Sequence, residues 1–131
     1  MSGLIGSAMF GGDAKVASLI DDIRIVINRG SNSGVSIGDR YLIYSIGQEI
    51  LDPDTKQSLG RIEIVKGRGE VIHVQENISI IQTTEKVEVQ RSIFSSAFEI
   101  SSKPKGFIDP QVGDLARPIG KALTGLLNVK P

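Results

Sequence analysis

The sequence predicts an all-β fold: a small closed or partly open β-barrel of the SH3-like or OB-like kind, with five to seven strands. Four observations carry this. Tryptophan is absent and only four Phe and two Tyr occur, so the core must be aliphatic. Ile and Val are abundant, and β-branched side chains suit pleated surfaces and are stiff in helices. Fifteen glycines and five prolines supply frequent turns. Finally, the stretch Gly34-Val35-Ser36-Ile37-Gly38-Asp39-Arg40-Tyr41-Leu42-Ile43-Tyr44 returns in abridged form as Val112-Gly113-Asp114-Leu115-Ala116. In each, a Gly-Asp turn follows an apolar residue and leads directly into a strand.

Along the chain, residues 15–20 read as a first strand, and Asp21-Asp22 as a tight turn. Ile23, Ile25 and Ile27 alternate with Arg24, Val26 and Asn28, the pattern of a half-buried strand. Residues 29–34 form a loop. Val35 and Ile37 share one side of an extended segment and are expected to plug one barrel end. Gly38 supplies a backbone angle that side chains avoid, and Asp39 holds the turn by accepting amide hydrogen bonds. Residues 40–46 follow as a strand with two apolar faces. Asp52-Pro53-Asp54 has the chemistry of a type I turn within an excursion over residues 50–60, anchored by Ile50 and Leu59.

Ile62 and Ile64 alternate with Arg61 and Glu63 in another strand, which Gly67-Arg68-Gly69 breaks as a hairpin turn or a bulge. Residues 71–75, 78–83 and 85–90 read as strands. The pattern is ambiguous from 91 to 100, and residues 101–106 are a loop. A short last strand follows Asp114 and is stopped by Pro118. Residues 119–129 form a weak short helix, interrupted by Gly120 and Gly125 and marginal without packing partners.

At 131 residues the chain reads as one domain. A domain of this size buries roughly two-thirds of its unfolded surface and needs no metal or disulfide to fold. There is no cysteine, which excludes disulfides and thiolate metal sites. Fifteen basic residues balance fifteen acidic ones, which argues against a general nucleic-acid or membrane-surface binder. No stretch approaches the roughly 20 apolar residues of a membrane span. No signal peptide is visible at the N-terminus: no basic residue precedes Lys15, and the apolar run is broken.

The strand and turn order resembles the C-terminal β-barrel domain of the flagellar assembly protein T family. The resemblance rests on Lys15-Val16, the run Arg24 to Gly30, Gly34 to Tyr44, Asp52-Pro53-Asp54-Thr55 with Leu59-Gly60, Ile62-Glu63-Ile64-Val65 and Val71 to Glu76. It covers about residues 15–83, with Val112-Gly113-Asp114 as the expected closing turn. The resemblance implies a non-enzymatic assembly domain, normally attached to other domains and exported. This chain carries an additional stretch, roughly residues 84–107, before the closing Gly-Asp.

No residue pattern announces catalysis. His73 stands alone in an apparent strand and reads as structural or partly exposed; a catalytic His needs a positioned nucleophile or carboxylate. No Gly-x-Ser-x-Gly elbow is present. Asp52 and Asp54 have the spacing of hard-cation ligands, but turn chemistry explains them, so no metal and no cofactor is expected. Arg61, Lys66 and Arg68 form a basic turn that suits either solvent or a phosphate backbone. Tyr41 and Tyr44, on opposite strand faces, offer at most one stacking platform for a base.

The termini are the most suggestive feature. Leu4, Ile5, Met9 and Phe10 at one end, and Leu123, Leu126 and Leu127 at the other, exceed what a barrel this size must bury. They either cap the barrel or bind a partner. The expected organisation is an N-terminal arm over residues 1–13, a barrel over 14–118 and a C-terminal arm or short helix over 119–131. The expected role is a non-enzymatic assembly module, binding protein or itself in a larger bacterial or phage-like complex. The alternative is a small barrel that binds nucleic acid.

Overall fold

The computed structural model describes residues 13–90 and 100–122. Eight strands run in order: β1 (Ala14–Leu19), β2 (Arg24–Ile27), β3 (Arg40–Leu51), β4 (Ser58–Val74), β5 (Ser79–Thr83), β6 (Lys86–Gln90), β7 (Ile100–Pro104) and β8 (Leu115–Gly120). Six of them close an antiparallel barrel in the order β1-β2-β5-β4-β3-β8, with β8 pairing back onto β1. β6 and β7 form a separate two-stranded ribbon. The fold is the all-β closed barrel that the composition and turns predict.

The barrel interior is filled as the alternation requires. Ile25 and Ile27 of β2 meet Val16, Ile43, Val71 and Ile81, all essentially inaccessible to solvent. Burying each such side chain contributes about 1.5–3 kcal/mol. Two loop residues close the ends. Val35 is buried at the end where β3 begins, its N–H donating to the Gly30 carbonyl at 3.2 Å. Phe107 is buried at the other end, on the return from β7. The Phe107 N–H donates to the Asp22 carbonyl at 2.7 Å, and the Ile108 N–H to the Lys66 carbonyl at 2.8 Å. Phe107 lies against Gly67, where a Cβ would stand 2.7 Å from Phe107 Cδ1.

The two Gly-Asp turns are built alike and sit at opposite ends. Gly38 and Gly113 have φ of +95° and +99°. The Gly38 N–H donates to the Val71 carbonyl and the Val71 N–H to the Asp39 carbonyl, both at 2.8 Å. In the second turn the Gly113 N–H donates to the Val16 carbonyl at 2.8 Å, and the Val16 N–H to the Asp114 carbonyl at 2.7 Å. Each carboxylate then caps its own turn. Asp39 Oδ2 accepts the Ser36 N–H at 2.9 Å, and Asp114 Oδ2 the Gln111 N–H at 2.8 Å. Each is also paired with a lysine, Asp39 with Lys121 and Asp114 with Lys66.

Lys66 is the extra residue of a bulge. Ile43 pairs with Gly67 and Tyr44 with Val65, so Lys66 has no partner across the ladder. Its Nζ turns inward to Asp114 Oδ1 at 3.1 Å and the Asp109 carbonyl at 2.8 Å.

Several expectations are corrected. β4 is not broken at Gly67-Arg68-Gly69; of the two expected forms, hairpin turn or bulge, the strand has the bulge. β3 continues to Leu51, because residues 45–51 pair with the next strand instead of turning away. Leu59 is 65% exposed and anchors nothing, and Ile37 is 60% exposed, leaving Val35 alone as the plug. Pro118 does not stop β8: opposite Tyr41 the register shifts, and β1 pairs only with Leu115 and Ala116, so the missing amide costs no ladder bond on that edge. Ile119 and Gly120 are therefore strand, not helix, and the barrel extends past the expected boundary at 118. Lys121 and Ala122 are not helical either, and residues 123–129 of the expected helix lie outside the described residues.

Replacing Lys66 with Met should destabilise the domain by about 3–5 kcal/mol, because Asp114 is left buried and unpaired. A urea denaturation series reads this directly. A loss below 1 kcal/mol would show that the pair does not hold the turn.

Candidate functional site

Beyond the barrel, β3 and β4 continue as a two-stranded arm. β3 leaves β8 after Tyr44, and β4 joins β5 only from Gly69 onward. Residues 45–51 therefore project about 23 Å at roughly 3.3 Å per residue. The tip is closed by Asp52: its Oδ1 accepts the Asp54 N–H at 2.8 Å, its N–H donates to the Gln57 carbonyl, and its carbonyl accepts the Lys56 N–H. Turn formation thus uses the carboxylate that cation spacing had singled out. Among the described residues, no group of three potential metal ligands gathers anywhere.

The arm has two unlike faces. One continues the line of the barrel interior past Ile43. Here Ser45 pairs with Ile64, and Gly47 lies under Ile62 and Ile64. A Cβ on Gly47 would meet Ile62 Cγ2 at 2.7 Å and Ile64 Cδ1 at 3.0 Å, so the glycine lets both side chains lie across the ribbon. Even so, Ile62 and Ile64 remain 49% and 48% exposed. Around the same barrel end stand Leu19, Ile20, Ile108 and Val112, all exposed.

The other face is mixed and braced: it carries the charges of Arg61 and Glu63 beside the exposed Ile46 and Val65. Arg117 of β8 grips Glu63 of the arm with two hydrogen bonds, at 3.1 and 2.5 Å. Its guanidinium lies 4.5 Å from the centre of the Tyr44 ring. The Tyr44 hydroxyl donates to Asp13, which also faces Arg117 Nε at 3.5 Å. Burial, the largest influence on the Tyr44 hydroxyl, raises its pKa, and the bond to Asp13 raises it further. The hydrogen bond to Glu63 strengthens the protonation of Arg117. The cluster ties β8 and the N-terminal Asp13 to the base of the arm.

The opposite end holds the start of the C-terminal segment. Asp39 Oδ1 accepts the Ala122 N–H at 3.0 Å, and Lys121 Nζ donates to Asp39 Oδ2 at 3.0 Å and to the Gly34 carbonyl. Burial acts most strongly on the Asp39 carboxyl and raises its pKa. The Ser36 amide, Lys121 and the Ala122 amide together outweigh it and hold the group below the usual carboxylate value.

The residues singled out by sequence are dispersed. Leu4, Ile5, Met9, Phe10, Leu123, Leu126 and Leu127 lie outside the described residues. Arg61, Lys66 and Arg68 do not converge. Lys66 is buried against Asp114, Arg68 pairs with Glu85 at 3.0 Å, and Arg61 sits on the arm with its Nε donating to the Gly47 carbonyl. Arg61 and Arg68 are about 20 Å apart along the strand. A cleft of about 200 Å3 beside the bulge includes Lys66, Arg68, Glu85 and Lys105, but Lys66 and Arg68 are already paired. Tyr41 lies in the core and Tyr44 under Arg117, so neither ring is open to a base. His73 is exposed. No helix of the described residues is long and apolar enough to cross a membrane.

Sequence reasoning read Ile62 and Ile64 as barrel wall and missed the arm. The available signal was length: β4 has 17 residues, more than a small barrel can use. No family model, curated protein or solved structure matches this chain.

Asp39 has a depressed folded-state pKa, so its stabilisation is fully present above its unfolded value and is lost as pH falls through the folded one. The Asp39→Asn protein should be about 1–3 kcal/mol less stable at neutral pH. That difference should shrink steadily below about pH 4. Thermal unfolding across pH checks it; a difference that grows on acidification would reverse the sign.

Proposed function

We propose that this chain is a non-enzymatic assembly module that uses the β3–β4 arm to bind protein within a larger bacterial or phage-like complex. The single observation that supports this reading most is the arm's inward-type face. It carries the apolar residues of a barrel interior, yet among the described residues nothing covers it. A two-stranded ribbon is marginal alone in water, and exposed apolar surface of this kind marks interaction sites. The Arg117 brace is consistent with an arm held ready at a set angle, which lowers the ordering cost of binding. The exposed residues of the same barrel end, Leu19, Ile20, Ile108 and Val112, extend the surface at the arm's base. No residue is assigned a catalytic role in this reading.

Lys56 lies exposed at the arm tip and serves as a chemical handle. Amine-directed cross-linking of the full chain in the cells that produce it, followed by mass spectrometry, should place inter-chain links at Lys56. Changing Ile62 and Ile64 together to Ser should abolish those links while the thermal midpoint stays within a few degrees, since both side chains lie outside the core. Inter-chain links that all fall elsewhere, unaffected by the double change, would overturn the proposal.

A further inference from the structure

We propose that the arm's partner is a second copy of this chain, joined through the outer edge of β4 in an antiparallel pairing centred on Ile62. This rests on reading the arm as an interface, and goes on to name the occupant and the register.

The barrel is closed, so its strands offer no free edge. The arm does. β4 meets β5 only from Gly69, and the Lys66 carbonyl is taken by the Ile108 N–H. Among the described residues, nothing pairs with the backbone of Arg61, Ile62, Glu63 and Ile64 on the side away from β3. Unpaired edges template pairing with another chain, and protected edges carry prolines, lysines or inward charges. From Gly60 to Ile64 this edge carries no proline and no lysine, and its two charges, Arg61 and Glu63, are of opposite sign. It reads Gly60-Arg61-Ile62-Glu63-Ile64.

That order is complementary to itself. When two copies run antiparallel with Ile62 on the two-fold axis, Arg61 of each copy lies opposite Glu63 of the other. Ile62 lies opposite Ile62, and Ile64 lies over Gly60, which has no side chain to obstruct it. Residues directly opposite in an antiparallel pair point to the same face, so the charges meet on the charged face and the isoleucines on the apolar one. Centring the axis on Arg61 or on Glu63 instead sets like charges face to face. A one-residue slip also sends the isoleucines to the charged face. Of the axes on Arg61, Ile62 and Glu63, the edge therefore favours the one on Ile62. The result is isologous, as two-fold interfaces are: two ribbons merge into a four-stranded sheet whose apolar face carries Ile62 and Ile64 from both copies. Glu63 then lies between Arg117 of its own chain, which already binds it, and Arg61 of the second copy.

The chain has no cysteine, so a single introduced thiol reports position cleanly. In the full-length protein, Ile62→Cys under diamide oxidation should give a covalent dimer, because only a residue near the axis meets itself. Cysteines at the exposed positions His73 and Thr55 should not. In equilibrium sedimentation, Arg61→Glu should weaken self-association by about tenfold through like-charge opposition at two symmetric sites. The exchange Arg61→Glu with Glu63→Arg should recover most of that loss. A dimer that forms without Ile62 cross-linking, or that the exchange fails to rescue, overturns this register and leaves the assembly reading standing. A chain that stays monomeric while Lys56 cross-links to a different protein overturns self-association alone. Absence of every inter-chain link at the arm overturns both.

Discussion

The ion pair between Lys66 and Asp114 is the constraint on which the rest of this barrel is arranged. A lysine enters a protein interior at a large desolvation cost, and a pair such as this is weak evidence of net stability. What it supplies is geometry. Lys66 can point inward only because the β4 ladder is interrupted there by a bulge. Once inward, its ammonium binds Asp114 and the Asp109 carbonyl, and so joins the middle of β4 to the turn that starts β8. The same bulge places Gly67 beneath Phe107, so one local irregularity organises both the closing strand and the plug.

The arm inherits its direction from this end of the molecule. Ile64 and Val65 lie immediately before the bulge, and the shifted register decides which face of β4 carries the isoleucines where the arm meets the barrel. Arg117, on the strand that Asp114 begins, then reaches across to Glu63 and stacks on Tyr44. The buried pair and the surface brace thus act in series: the first sets the register and the second ties β8 to the base of the arm.

Much of this architecture was legible in the chain, and the failures are instructive. The two Gly-Asp turns were readable because positive φ demands glycine and amide capping demands a short acidic side chain, and both demands are local. Strand character was readable from alternation. The lysine partner of each aspartate was not, since Lys66 lies 48 positions before Asp114 and Lys121 lies 82 beyond Asp39. Alternation also reports only that a strand has two unlike faces. It cannot say whether the apolar face meets a core, and so Ile62 and Ile64 looked like barrel wall. Pro118 misled for a related reason, because a proline terminates a strand only where its missing amide was needed by a neighbour.

The placement of β8 between β1 and β3 carries a consequence for how the protein comes into being. Lys15 finds its partner Leu115 only after a hundred further residues have been synthesised, whereas the β3–β4 hairpin joins segments that are adjacent in the chain. Contacts of such unequal separation form at unequal times, local ones first. On the ribosome, the hairpin can assemble while the barrel remains an open sheet awaiting its last strand.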